Sequence, residues 1–177
     1  IARLRATLGN NGEALPDEKS TAAFAYAESA TLLPEGAYTL SHIVGYGFLY
    51  QLTGDKKYAD MGRKCLEWAW LGIRDRDPMG RYSLLLPGGQ LRAGPTLAWT
   101  AAGYDLCYDG WDPQFRSLVA TWIQNYDGIK APEGFAAKDG GPRVKQKGED
   151  KNGLDDMLLR TRHDPTANHY GSIIGGA

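Results

Sequence analysis

The sequence is short of the residues that make metal and redox centres. Its 177 residues include three histidines and two cysteines, with no His-x-x-x-His or Cys-x-x-Cys spacing, so no metal site is expected. No Gly-rich phosphate loop stands before a helix in the required form, and no Gly-x-Ser-x-Gly elbow is present. No cofactor is expected. Nor is there an excess of charge: 20 basic against 21 acidic residues leaves a formal net charge of −1. That balance removes a broad electrostatic case for nucleic acid or an acidic membrane surface as partner. No apolar run approaches the ~20 residues of a membrane span. The two thiols, Cys65 and Cys107, fall at apolar positions of expected helices and read as small buried residues, although spacing alone leaves a single bridge open.

What is present is a chain long enough for one domain with a sizeable core, with 42% hydrophobic and 23% charged residues. It starts at Ile1 with no charged-then-apolar leader, and Ser172-Ile173-Ile174-Gly175-Gly176-Ala177 reads as the first part of an apolar helix. The expectation is a piece of a larger protein. The missing leader then carries no information on localisation.

Residues 1–37 form a mixed segment, with a Gly-, Asn- and Pro-bearing loop from Gly9 to Ser20 and an alanine-rich helix candidate from Ala22 to Ala30. The pattern sharpens over 38–72. Leu40, Ile43, Val44, Gly47 and Tyr50 recur at helical spacing until Gly54-Asp55 stops them. Tyr58, Met61, Cys65, Trp68 and Ala69 mark the face of a second helix ending near Gly72. So short a turn makes the pair antiparallel.

The arrangement recurs over 95–127. Pro95 suits a first helical position, and Leu97, Ala101, Tyr104 and Tyr108 mark one face. Asp109-Gly110-Trp111 makes the turn, and Asp112-Pro113 reads as an N-cap followed by proline in the first turn. Phe115, Leu118, Val119, Trp122, Ile123 and Tyr126 supply a buried stripe, with Gly128 as the C-terminal cap. Two hairpins thus recur at a spacing of roughly 55 residues, longer than the ~34 of a tetratricopeptide unit. The extra length is Arg74 to Arg92, where Tyr82-Ser83-Leu84-Leu85-Leu86 suits a short strand or an ordered loop, the kind of connection that carries binding residues. The span 131–150 reads as a solvated loop. The expected fold class is all-α, built of antiparallel helix hairpins.

Chemistry concentrates in His163-Asp164-Pro165-Thr166-Ala167-Asn168-His169-Tyr170-Gly171. Asp164-Pro165 repeats the Asp112-Pro113 signature, so a further helix is expected over 164–177. Asn168 and His169 then fall in its first two turns, near the positive end of the helix dipole, which favours an anion by ~0.3–1 kcal/mol. An amide beside an imidazole at a helix start is a receptor for a carboxylate. Such a receptor serves proton removal α to that carboxylate, because neutralising it stabilises the carbanion as it develops. A histidine or tyrosine takes the proton. The β-oxygen then leaves, and a uronate sugar is cleaved by elimination without water or metal. The plainer reading is that His169 caps or packs.

The run Asn168-His169-Tyr170-Gly171, leading into a Gly-rich apolar stretch, resembles the Asn-His helix start of polysaccharide lyases with an α/α toroid, especially the heparinase II/III-like and related alginate lyase families. Leu52-Thr53-Gly54-Asp55-Lys56-Lys57-Tyr58-Ala59 and Ala102-Gly103-Tyr104-Asp105-Leu106-Cys107-Tyr108-Asp109 before Trp111-Asp112 are similar to them too, so the likeness runs from about Tyr38 to the last residue. Phrases such as Thr-Gly-Asp-x-x-Tyr also occur in other toroids and helical repeats. The resemblance implies an incomplete α/α toroid, a secreted or periplasmic setting and an acidic polysaccharide as partner. It further implies that the remainder of its own chain supplies the missing toroid helices and a C-terminal β-sheet domain. Asn168 would hold the substrate carboxylate, and His169 would neutralise it or accept the proton. The family's catalytic tyrosine commonly lies further along the chain. Tyr170 adjoins His169, and helical neighbours point ~100° apart, so it suits substrate binding better than that role.

Other candidates for substrate binding are Arg92, which precedes the expected helix start and suits bidentate contact with a uronate carboxylate, and His163, just before the cap. Tyr104 and Trp99 are aromatic candidates for a sugar platform, though tryptophans in helical stripes more often serve the core. His42 is expected to hydrogen-bond locally. Two rival functions stand beside the lyase. A toroidal glycoside hydrolase or unsaturated-uronyl hydrolase needs paired acids, for which Asp105, Asp109 and Asp112 are the cluster at hand. A non-catalytic helical repeat scaffold for protein partners needs none of these residues.

Overall fold

A computed structural model describes residues 1–8, 12–13, 42–71, 90–126 and 131–135. Every regular element among them is a helix: α1 (Ala2–Leu8), α2 (His42–Thr53), α3 (Lys56–Trp70), α4 (Gln90–Cys107) and α5 (Pro113–Gln124), with a 3-10 turn at Tyr108–Gly110. The expected helix at 22–30, the candidate strand at 82–86, the cap at Gly128, most of the loop at 131–150 and the helix at 164–177 lie outside the described residues.

Local chemistry sets the turns where expected. Gly54 takes φ +69°, the left-handed conformation that costs glycine least, and its N–H bonds back to the Tyr50 carbonyl at 2.8 Å. The next residue, Asp55, caps α3 by accepting from the Lys57 N–H at 3.1 Å. Asp112 likewise caps α5, accepting from the Phe115 N–H at 2.8 Å, with Pro113 in the first turn.

Two expectations are corrected on α4. Its first residue is Gln90, not Pro95, so Pro95 and Arg92 both lie inside the helix. Proline here forfeits one backbone bond near the helix start, and the preceding residue is Gly94, which has no Cβ to meet the proline ring. The buried face also differs. Leu97, Thr100, Gly103 and Cys107 are buried, whereas Ala101 and Tyr108 are exposed and Tyr104 is half-buried. Small residues hide that face from a reading keyed to large apolar ones.

The small face decides the packing. A Cβ at Gly103 would stand 2.5 Å from the Ile43 side chain, and one at Gly47 would stand 2.6 Å from Leu106 Cβ. Ile43 is thus level with Gly103, and Gly47 with Leu106 and Cys107, while the Gln51 amide donates to the Leu106 carbonyl at 2.7 Å. Helices α2 and α4 therefore run parallel. Gly62 approaches Ile43 and Cys107, and α3 returns antiparallel along α2. Contacts between α3 and α5 advance together as well, from Arg63 on Asp112 to Trp70 on Trp122, so these two are also parallel. The hairpin α2–α3 is repeated by α4–α5 in the same orientation, as the sequence suggested. The second pair is looser than expected, because α4 packs far more closely on α2 than on α5.

Large aromatics fill the other side. Trp70, fully buried, meets Trp122 at 5.3 Å, Phe135 at 4.9 Å and Phe115 at 6.1 Å between ring centroids. Trp111 is anchored by its indole N–H to the Ala59 carbonyl at 2.8 Å. The α5 stripe divides into buried Phe115, Val119, Trp122 and Tyr126 and half-buried Leu118 and Ile123. At the near end, α1 docks Leu8 over Gly45. Arg5 Nη2 donates to the Tyr58 hydroxyl at 2.8 Å, which in turn donates to Glu13 at 3.3 Å.

Candidate functional site

The sequence-predicted catalytic pair, Asn168 and His169, with Tyr170 and His163, lies outside the described residues. Three other candidates sit on α4. Arg92 is its third residue, and its side chain too is outside what is described. Trp99 and Tyr104 are half-buried and pack against the hydrophobic core.

Helix geometry shows which of these share a surface. Positions 92 and 99 fall on nearly one face of α4, about 10 Å apart along the axis. Position 104 is turned about 140° from position 99, so Tyr104 and Trp99 do not form one sugar platform. Tyr104 belongs instead to an aromatic group at the far end of α4, with its ring 5.5 Å from Tyr108 and 6.2 Å from Trp111.

Register also separates Arg92 from His42. Since Ile43 is level with Gly103, α4 continues beyond the start of α2 by about 20 Å. The positions of Arg92 and Trp99 belong to that overhang. His42 sits at its base, and burial lowers its pKa from 6.5 to about 4, so the imidazole is neutral at physiological pH. Both long connections, 72–89 and the chain beyond 126, leave from this same end, because α3 and α5 both finish there. Short turns occupy the opposite end.

The acid cluster resolves into unlike parts. Asp112 is both the α5 cap and the ion-pair partner of Arg63, whose Nη1 lies 2.7 Å from its Oδ2. Its carboxyl is held below the usual range, first by the Phe115 N–H and then by Arg63. Arg63 also bonds Glu67 at 2.8 Å and lies 4.1 Å over the Phe115 ring. That is a fastening between α3 and α5, not a poised acid. Asp105 and Asp109 are exposed and, among the described residues, enter no ion pair or side-chain hydrogen bond.

The two cysteines are buried and free. Burial pushes the Cys107 thiol up to about 12, so it stays protonated and unreactive at neutral pH. Among the described residues no group of three or more His, Cys, Asp or Glu is placed to hold a metal ion, and no helix is long and apolar enough to cross a membrane. Comparison with known proteins finds no matching family model, no similar curated protein and no similar solved structure.

Proposed function

We propose that this chain is part of an α/α-toroidal polysaccharide lyase that cleaves a uronate-containing glycan by β-elimination, with Asn168 and His169 at the cleavage site. The observation that carries the reading is the run Asn168-His169-Tyr170-Gly171 behind the Asp164-Pro165 cap, which resembles the Asn-His helix start of the heparinase II/III-like and alginate lyase families. Asn168 holds the uronate carboxylate and His169 neutralises it or takes the α-proton, so charge is stabilised as it develops. Tyr170, His163, Arg92 and Trp99 are proposed to line the substrate. The partner is an acidic polysaccharide, and the setting is secreted or periplasmic.

The repeated hairpin supports this reading. Helices that open each hairpin, α2 and α4, start at the end from which both long connections leave. If the repeat continues, a helix capped by Asp164 starts at that end too, beside the overhang that carries Arg92 and Trp99. The same repeat occurs in non-catalytic scaffolds, so residue chemistry carries the enzymatic half of the proposal. A hydrolase reading loses Asp112, which is spent as a cap and ion-pair partner. Tyr104, at the far end of α4, remains a further proposed sugar contact.

The test is ultraviolet detection of unsaturated uronate ends on a panel of alginate, heparan and chondroitin-type glycans, with the full-length protein beside Asn168→Ala and His169→Ala. Signal on one glycan, lost in both variants, is the expected outcome. Absence of signal from a folded protein on every glycan overturns the lyase reading.

A further inference from the structure

A chain of polar contacts ties α1 to the α2–α3 hairpin. Arg5 Nη2 donates to the Tyr58 hydroxyl at 2.8 Å, and that hydroxyl donates to Glu13 Oε1 at 3.3 Å. Lys57 Nζ closes the chain, 2.7 Å from Glu13 Oε2 and 3.4 Å from Asp55 Oδ2. Tyr58 is fully buried, with Lys57 Nζ 4.9 Å and the Arg5 guanidinium 5.9 Å from its ring centroid. Helix α2, which lies beneath, contributes no acidic or basic side chain apart from His42 at its far end. Apolar contacts accompany the polar ones. Leu8 is buried against Gly45, and Gly12 lies against Leu49.

The charges in this chain are unevenly supported. Arg5 is half-buried, its Nε is buried without a hydrogen-bond partner, and among the described residues it enters no ion pair. Glu13 is the carboxylate linked to it, by way of the shared hydroxyl. The bond from Lys57 does most to hold the Glu13 carboxyl below its ordinary 4.5, and Tyr58 and Arg5 add to it. Neutralising Glu13 leaves a guanidinium and an ammonium against one buried phenol with no carboxylate between them. Undocking relieves that cost by returning Arg5 to water.

We propose that α1 and Gly12-Glu13 form an acid-released strap, clasped to α3 through Tyr58 and opened when the Glu13 carboxylate is neutralised. A carboxyl whose folded pKa is lowered supports docking above its unfolded pKa and loses that support as pH falls through the folded one. Opening uncovers an apolar patch of α2 around Gly45 and Leu49. The strap uses neither Asn168 nor His169, so it stands or falls separately from the lyase reading.

Amide hydrogen exchange of the full-length protein tests it, with rates corrected for their intrinsic pH dependence and residues 119–124 of α5 as the internal reference. At neutral pH, Glu13→Gln is expected to speed exchange in α1 about tenfold and to leave α5 unchanged. Tyr58→Phe removes the shared hydroxyl and speeds α1 similarly, and the double variant adds little, because both changes cut one chain. In the parent, protection of α1 relative to α5 falls between about pH 6 and about pH 3.5, and in Glu13→Gln that dependence is lost. The proposal is overturned if Glu13→Gln exchanges in α1 as the parent does, if the acid dependence survives in that variant, or if the two single effects add in full.

Discussion

The two sides of this helical repeat are held together by opposite means. Between α2 and α4 the contact is backbone-close, made by Gly47 and Gly103 receiving Leu106 and Ile43. Between α3 and α5 the helices stand further apart, bridged by Trp70, Trp122 and Phe115 and by Arg63 stacked on Phe115. Parallel helices that approach closely on one side and are wedged apart on the other produce curvature when the unit repeats. Side-chain size thus sets a shape that backbone hydrogen bonding leaves free.

The comparison can be broken most severely on the aromatic side. Trp70→Ala removes the ring shared by Trp122, Phe135 and Phe115 and is expected to cost about 3–5 kcal/mol, read by chemical denaturation. On the close side, Gly103→Ala forces a methyl into Ile43 and is expected to cost about 1–3 kcal/mol. Pairing it with Ile43→Ala sharpens the point. If direct crowding is the cause, the double change costs less than the sum of the singles, whereas additivity would place the strain elsewhere.

His42, at the base of the overhang, predicts a pH effect. Its folded pKa, about 4, lies below the unfolded 6.5, so the unfolded chain binds the proton first on acidification. The contribution is whole above pH 6.5, falls as pH drops toward 4 and levels off below, a loss of about 3 kcal/mol. His42→Gln flattens that part of the stability profile, and an unchanged profile would refute the assignment. The smallest change expected is at the α5 cap. Asp112→Ala lowers the melting temperature modestly, and Asp112→Asn recovers most of the loss because an amide also caps, although it gives up the Arg63 charge pair.

Elements marked by turn chemistry were legible without coordinates. Gly54-Asp55 and Asp112-Pro113 bound α3 and α5 because a left-handed glycine and a capping carboxylate act within a few residues of the chain. Start and buried face of α4 were not. Pro95 resembles a first-turn proline whether or not Gly94 before it relieves the clash, and Thr100, Gly103 and Cys107 form a buried face only because α2 lies against them. Of the proposed site, the residue types Asn168 and His169 and the Asp164-Pro165 signature come from the sequence, and all of them lie outside the described residues. Trp99 and Tyr104 are five positions apart on α4, so helical register alone turns them to different faces.

By itself, then, the sequence determined the helical class, the two turns, the caps and the orientation of each hairpin, all of which follow from interactions between near neighbours. The tertiary structure alone decided that α4 pairs with α2 rather than α5. It also decided that α4 overhangs α2 by about 20 Å. These are relations between residues some sixty positions apart, and they are settled by which surfaces fit once the helices meet.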